Sequence, residues 1–117
     1  VSFGSDAPCT SPDPIVWMDK AVNNDNADEA ITVQDALRMC TVNGCYAAFD
    51  EKERGSLEAG KIADMVILSA NPYDIPKEEI ATLKVEKLIL AGKDYRSCKR
   101  PVAKAILDGM TNSNESY

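Results

Sequence analysis

Apolar residues come only in short runs in this chain. Met65-Val66-Ile67-Leu68 is an unbroken block of four between Asp64 and Ser69, and nothing approaches the roughly 20 residues that a bilayer-spanning helix needs. The core must therefore be assembled from short elements separated by glycine, proline and polar turns. With 117 residues, 44% of them apolar, the chain has the size of one domain with a modest core. No signal-peptide pattern stands at its start. The reading is of a soluble, cytoplasmic chain without a membrane partner.

Hydrophobic spacing and end signals place the elements. Ile15, Met18 and Val22 recur at helical intervals behind the turn Ser11-Pro12-Asp13-Pro14, which predicts a helix over 14–22. The polar stretch 23–30 reads as an exposed loop. Thr32 followed by Asp35 resembles a capping box with Asp in place of Glu. Val33, Ala36, Leu37 and Cys40 continue from it as a helical stripe over 32–42. After Asn43-Gly44 a second helical piece is expected over 44–52. The block at 64–69 reads as a strand. Residues 77–83 read as one or two helical turns, and 84–96 as a hairpin turning at Ala91-Gly92. Pro101 and Gly109 bracket a short helix, and the polar tail 111–117 is expected to be disordered.

The charge is uneven. Residues 1–58 carry 11 acids and 4 bases, net −7, whereas residues 59–117 carry 8 acids and 9 bases, net +1. An acidic balance repels a phosphate backbone, and Lys99-Arg100 is too short to make a basic patch, so no nucleic-acid partner is expected. The four cysteines, at 9, 40, 45 and 98, match no zinc-finger or redox spacing. They read as free thiols in a reducing compartment. The chain contains no histidine, which removes the commonest general base and metal ligand. A self-contained Ser-His-Asp, Cys-His or His-metal centre is excluded.

Among the remaining groups, Asp6 is the strongest candidate for chemistry. It follows Val1–Gly4, which reads as the end of a strand, and a carboxylate just past a strand's C-terminal end is where parallel α/β barrels carry catalytic groups. The alternative is an Asp that caps the following turn. Asp64 reads as a turn or edge residue, the run Glu51–Arg54 as a solvated helix end, and Cys40 and Cys45 as small core residues. The segment GSLEAGK, residues 55–61, is not a phosphate loop: Ile62 stands where Ser or Thr is required, and a strand follows instead of a helix.

Taken in order, GSDAP (4–8), ITVQDALRMCTVNGCYAAFDE (31–51), GSLEAGKIADMVIL (55–68) and VEKLILAGK (85–93) resemble the C-terminal end of metal-dependent amidohydrolases. The branch is the one that includes N-substituted formamide deformylases. The resemblance covers about residues 1–96. It implies an α/β fragment: the last strand and helices of a (β/α)8 barrel over 1–54, then the C-terminal share of a small β-sandwich over 55–96. Residues 97–117 fall outside it as an extra helix and tail. A chain opening on Val1 at the last barrel strand is then expected to be a piece of a larger hydrolase of amide or other C–N bonds, acting on a small molecule.

The resemblance also implies that Asp6 matches the Asp that ends strand eight, binds the divalent metal (zinc) and takes the proton from the attacking water. The family's histidine ligands have no counterpart here. This chain alone is therefore expected to hold no metal and to be inactive. A barrel strand and a half-sandwich without partners also predict a homo-oligomer. The competing functional class is a non-catalytic oligomerisation or interaction module.

Overall fold

A computed structural model describes residues 1–95. The helix expected over 101–109, the tail, Cys98 and Lys99-Arg100 lie outside the described residues. In chain order the elements are α1 (Pro14–Val22), α2 (Val33–Cys40), α3 (Val42–Ala47), β1 (Met65–Leu68), a 3-10 helix (Lys77–Thr82), β2 (Val85–Leu90) and β3 (Lys93–Asp94). Three short helices precede a small antiparallel sheet of order β1-β2-β3, an α/β arrangement as expected. Among the described residues no helix is long and apolar enough to cross a membrane.

Local chemistry accounts for the helix starts. Asp13 Oδ1 accepts the Ile15 N–H at 2.9 Å, and Pro14 stands in the first turn, where its missing N–H costs nothing. Thr32 Oγ1 accepts the Asp35 N–H at 3.1 Å and donates to Asp35 Oδ2 at 2.6 Å. One methylene shorter than Glu, Asp35 thus reaches the cap's hydroxyl. α1 ends at Asn23, whose Nδ2 donates both to Asp19 Oδ1 at 2.9 Å and to the Lys77 carbonyl at 2.8 Å. That side chain pins α1 to the 3-10 helix.

The helix expected over 44–52 is instead Val42–Ala47. The Asp50 N–H reaches back to the Cys45 carbonyl at 2.9 Å, and the Phe49 N–H to Tyr46 at 3.2 Å. This is the hydrogen-bond pair of a Schellman end, which needs a left-handed residue between helix and exit. Phe49 takes that conformation, φ +61°, where a glycine would ordinarily announce the stop.

Ile15, Met18 and Val22 of α1 are buried with Ala36 of α2 and with Ile80 and Leu83, and Phe3, Val33, Leu37, Cys40 and Leu68 pack against them. The stripe of α2 therefore covers this core. β1 pairs with β2 through Met65↔Ile89, Val66↔Leu88 and Ile67↔Lys87, with a bulge before Leu68↔Val85. The hairpin turns at Ala91-Gly92, φ +49° and +77°, the positive pair that two-residue hairpins favour.

The expectation of a strand at Val1–Gly4 is not met: these residues join no ladder among the described residues. A strand exists only by pairing, and the neighbour they meet is a helix end. The Phe3 N–H donates to the Met39 carbonyl at 3.2 Å, and Asn43 Nδ2 to the Val1 carbonyl at 2.7 Å.

Candidate functional site

Phe3 is the anchor of the opening segment. It is half-buried against the core, and its ring lies 6.3 Å from that of Trp17 at 58°. Trp17 is itself fixed by its Nε1–H to the Ser11 carbonyl at 2.7 Å. Between these anchors the chain makes an exposed turn. The Asp6 carbonyl accepts the Cys9 N–H at 2.9 Å, Ser5 Oγ accepts the Ala7 N–H at 3.2 Å, and the Thr10 hydroxyl donates to the Ser5 carbonyl. The Ala7-Pro8 bond is cis, and Asp6 has φ +48°, a left-handed conformation that Asp tolerates better than most residues.

In this turn Asp6 contributes only its backbone. Its side chain is exposed, and its carboxylate takes part in no hydrogen bond or ion pair among the described residues. The capping that the alternative reading assigns to the Asp6 side chain is supplied by Ser5 Oγ instead. Cys9, three residues on, is exposed and free, with no histidine to activate it.

Asp64 has the structural role expected of it. Its Oδ1 accepts the Ala91 N–H at 2.8 Å, and its Oδ2 accepts from Arg54 Nη1 at 2.6 Å. Gly55 also has a structural explanation. At φ +91°, a Cβ there would stand 3.0 Å from both Cβ and Sγ of Cys45. Cys40 and Cys45 are partly buried and free, and burial pushes the Cys40 thiol above its ordinary value of 9.0.

Two hollows lie near the helices. One, about 380 Å³, is lined by Val1, Arg38, Asn43, Tyr46 and Glu51 among others. Glu51 reads from sequence as part of a solvated helix end. In the structure it is half-buried, and its Oε2 is shielded with no hydrogen-bond partner among the described residues. No local signal reveals the hollow, which Glu51 shares with Val1 and Ser2, far from it in sequence. The other hollow is an apolar groove of about 470 Å³ between α2–α3 and β1, lined chiefly by Leu37, Cys40, Cys45, Leu57, Val66 and Leu68. Asp6 lines neither of these.

Among the described residues no three of the His, Cys, Asp and Glu side chains come together in a way that could hold a metal ion. A hydrolytic metal centre takes three or four protein donors, or three and a water, and Asp6 offers one. The residues present do not fit such a centre.

The profile of the amidohydrolase family matches residues 1–94. Over 99 residues the chain is 36% identical to the N-substituted formamide deformylase of Arthrobacter pascens, covering 79% of this chain and 18% of that protein. It is 33% identical over 89 residues to the 5-methylthioadenosine/S-adenosylhomocysteine deaminase of Thermoanaerobacter pseudethanolicus, covering 68% of this chain and 20% of the relative. With the imidazolonepropionase of Shouchella clausii it shares 35% over 63 residues, 54% of this chain and 14% of the relative. The chain thus spans a fifth or less of the length of these relatives. No solved structure matches it significantly.

Proposed function

Because the chain belongs to the amidohydrolase family, we propose that it supplies the C-terminal share of an enzyme that hydrolyses C–N bonds, with Asp6 as its contribution to the reaction centre. In this reading residues 1–54 close a (β/α)8 barrel, residues 55–96 belong to a small β-sandwich, and residues 97–117 are an added segment. The observation that carries the role of Asp6 is its idle carboxylate. It is exposed and makes no hydrogen bond or ion pair among the described residues, the turn being held by other atoms, which supports a role toward a substrate.

The proposed step is hydrolytic. Water adds to the carbon of the C–N bond, its proton passes to the Asp6 carboxylate, and the bond to nitrogen breaks as nitrogen regains that proton. The family is generally metal-dependent. A divalent ion, zinc in this reading, belongs to the whole enzyme, with most of its donors outside this chain. One carboxylate cannot replace it, and the chain alone is expected to be inactive.

The substrate is a small molecule. The relatives' names, a formamide deformylase, a deaminase and an imidazolonepropionase, support C–N chemistry. Free thiols at Cys9, Cys40 and Cys45 support a cytoplasmic setting. Self-association through apolar residues of 1–40 is part of the proposal, supported by exposed Val1 and Val16. The whole protein that carries these residues should convert an N-substituted formamide into formate and the free amine in equal amounts. No release from that compound or from other amide and amidine C–N bonds overturns the reading.

A further inference from the structure

The turn that carries Asp6 is shaped from within but placed from outside. Its own hydrogen bonds, Cys9 N–H to the Asp6 carbonyl, Ala7 N–H to Ser5 Oγ and the Thr10 hydroxyl to the Ser5 carbonyl, all stay inside residues 5–10. Among the described residues no hydrogen bond joins residues 4–10 to the rest of the chain. Apart from half-buried Ser5, these residues are exposed, so packing holds them little. Where the turn stands is therefore decided at its flanks, Phe3 and Ser11.

Both flanks meet in one side chain. The Phe3 ring lies 6.3 Å from the Trp17 ring at 58°, and the Ser11 carbonyl accepts the Trp17 Nε1–H at 2.7 Å. Phe3 is tied in addition by its N–H to the Met39 carbonyl, whereas Ser11 has no such second tie to the body among the described residues. We propose that Trp17 is a positioning residue that sets the place of the Asp6 carboxylate, a role that rests on the chemistry given to Asp6 above.

Trp17 suits this task because of what bears it. It stands in α1 between Ile15 and Met18, both buried, and the Asn23 side chain pins the end of that helix to the Lys77 carbonyl. A group carried on a fixed helix holds geometry more closely than one on a loop. Indole also offers an aromatic face and an N–H together. Phenylalanine offers only the face, and leucine neither. Asp6 lies three residues from Phe3 and five from Ser11. With the Ser11 hold lost, three residues of tether, up to about 10 Å, leave the carboxylate free over several ångströms. A misplacement of about 1 Å already costs a reaction as much as about 10²-fold.

Trp17→Phe keeps the ring beside Phe3 and removes the hold on Ser11. In the whole enzyme it should lower kcat about tenfold, with KM within about twofold and the melting temperature within about 2 °C of the parent. In an Asp6→Asn background the same substitution should change kcat less than about twofold, because its effect runs through that carboxylate. A tenfold loss in both backgrounds overturns the proposal. Turnover lost in Asp6→Asn but kept in Trp17→Phe overturns it as well and leaves the role of Asp6 standing. A silent Asp6→Asn overturns that role instead, and a measurement without turnover then judges the hold itself. In this chain, nitrogen-15 relaxation should give the amides of Asp6, Ala7, Cys9 and Thr10 order parameters near about 0.85, falling below about 0.6 in Trp17→Phe. Phe3→Leu, which leaves α1 untouched, should loosen the same amides from the other flank and serves if Trp17→Phe does not fold. Unchanged order parameters in the folded variant overturn the proposal whatever the turnover shows.

Discussion

Arg54 donates from Nη1 to Oδ2 of Asp64 at 2.6 Å, while the other oxygen of the same carboxylate accepts the Ala91 N–H at 2.8 Å. One side chain thus joins the exit from α3, the entry to β1 and the tip of the β2–β3 hairpin. Arg54 also reaches Asp50 at 3.1 Å. These groups are partly exposed, so the ion pair itself should count for little, and Arg54→Ala should cost under about 1 kcal/mol. Asp64→Ala removes the acceptor for a backbone N–H as well and should cost about 1–1.5 kcal/mol. Urea unfolding of the two variants checks the order, and an Arg54→Ala effect larger than that of Asp64→Ala would contradict it.

Phe49 and Ala91 both occupy left-handed backbone, φ +61° and +49°, and Phe49 is 91% exposed. A side chain there costs roughly 1–2 kcal/mol relative to glycine. Phe49→Gly and Ala91→Asn should each therefore raise stability by about 0.5–1 kcal/mol. A fall in the urea midpoint for either variant would count against these backbone assignments.

Gly55 and Gly60 have nearly the same φ, +91° and +95°, but only Gly55 has Cys45 in the path of a Cβ. Gly60→Ala should cost about 1–2 kcal/mol from the backbone alone. Gly55→Ala adds a steric clash and should cost about 2–4 kcal/mol. Equal thermal shifts for the two variants would mean that α3 does not pack on this loop.

These positions show where the sequence is readable. The starts of α1 and α2 were legible because Asp13, Pro14, Thr32 and Asp35 act on backbone one to three residues away. β1 and the hairpin were legible from a short apolar block and the pair Ala91-Gly92. The end of α3 was not, since Phe49 does the work of a glycine. The fit of Gly55 against Cys45, the shielding of Glu51 and the burial of Ile80 beside Met18 join residues far apart in sequence, and no local pattern records them. Asp6 was legible as a candidate. That its carboxylate leaves the turn's hydrogen bonding to Ser5 is a matter of geometry alone.

The thiols should differ in reactivity. Cys9 is exposed, whereas burial raises the Cys40 pKa above 9.0. Since the thiolate is the nucleophile, Cys9 should label about tenfold faster than Cys40 at pH 8. The sign of the linkage follows. With its folded pKa raised, Cys40 favours the unfolded chain once pH climbs past 9.0, so stability should decline there and be insensitive to this group below it. A Cys40→Ser variant with the same alkaline decline would refute the assignment.

The proposed chemistry rests on Asp6. In the whole enzyme, Asp6→Asn keeps the size and backbone of a residue whose side chain makes no hydrogen bond or ion pair among the described residues, so the melting temperature should stay within about 2 °C of the parent. The turnover number for C–N hydrolysis should nevertheless fall about 10²–10⁴-fold, the share ordinarily due to a positioned proton acceptor. The decisive measurement is kcat of this variant beside its melting temperature. Lost turnover with unchanged melting is the predicted result, and turnover within about twofold of the parent would reduce Asp6 to a turn residue and contradict the proposal.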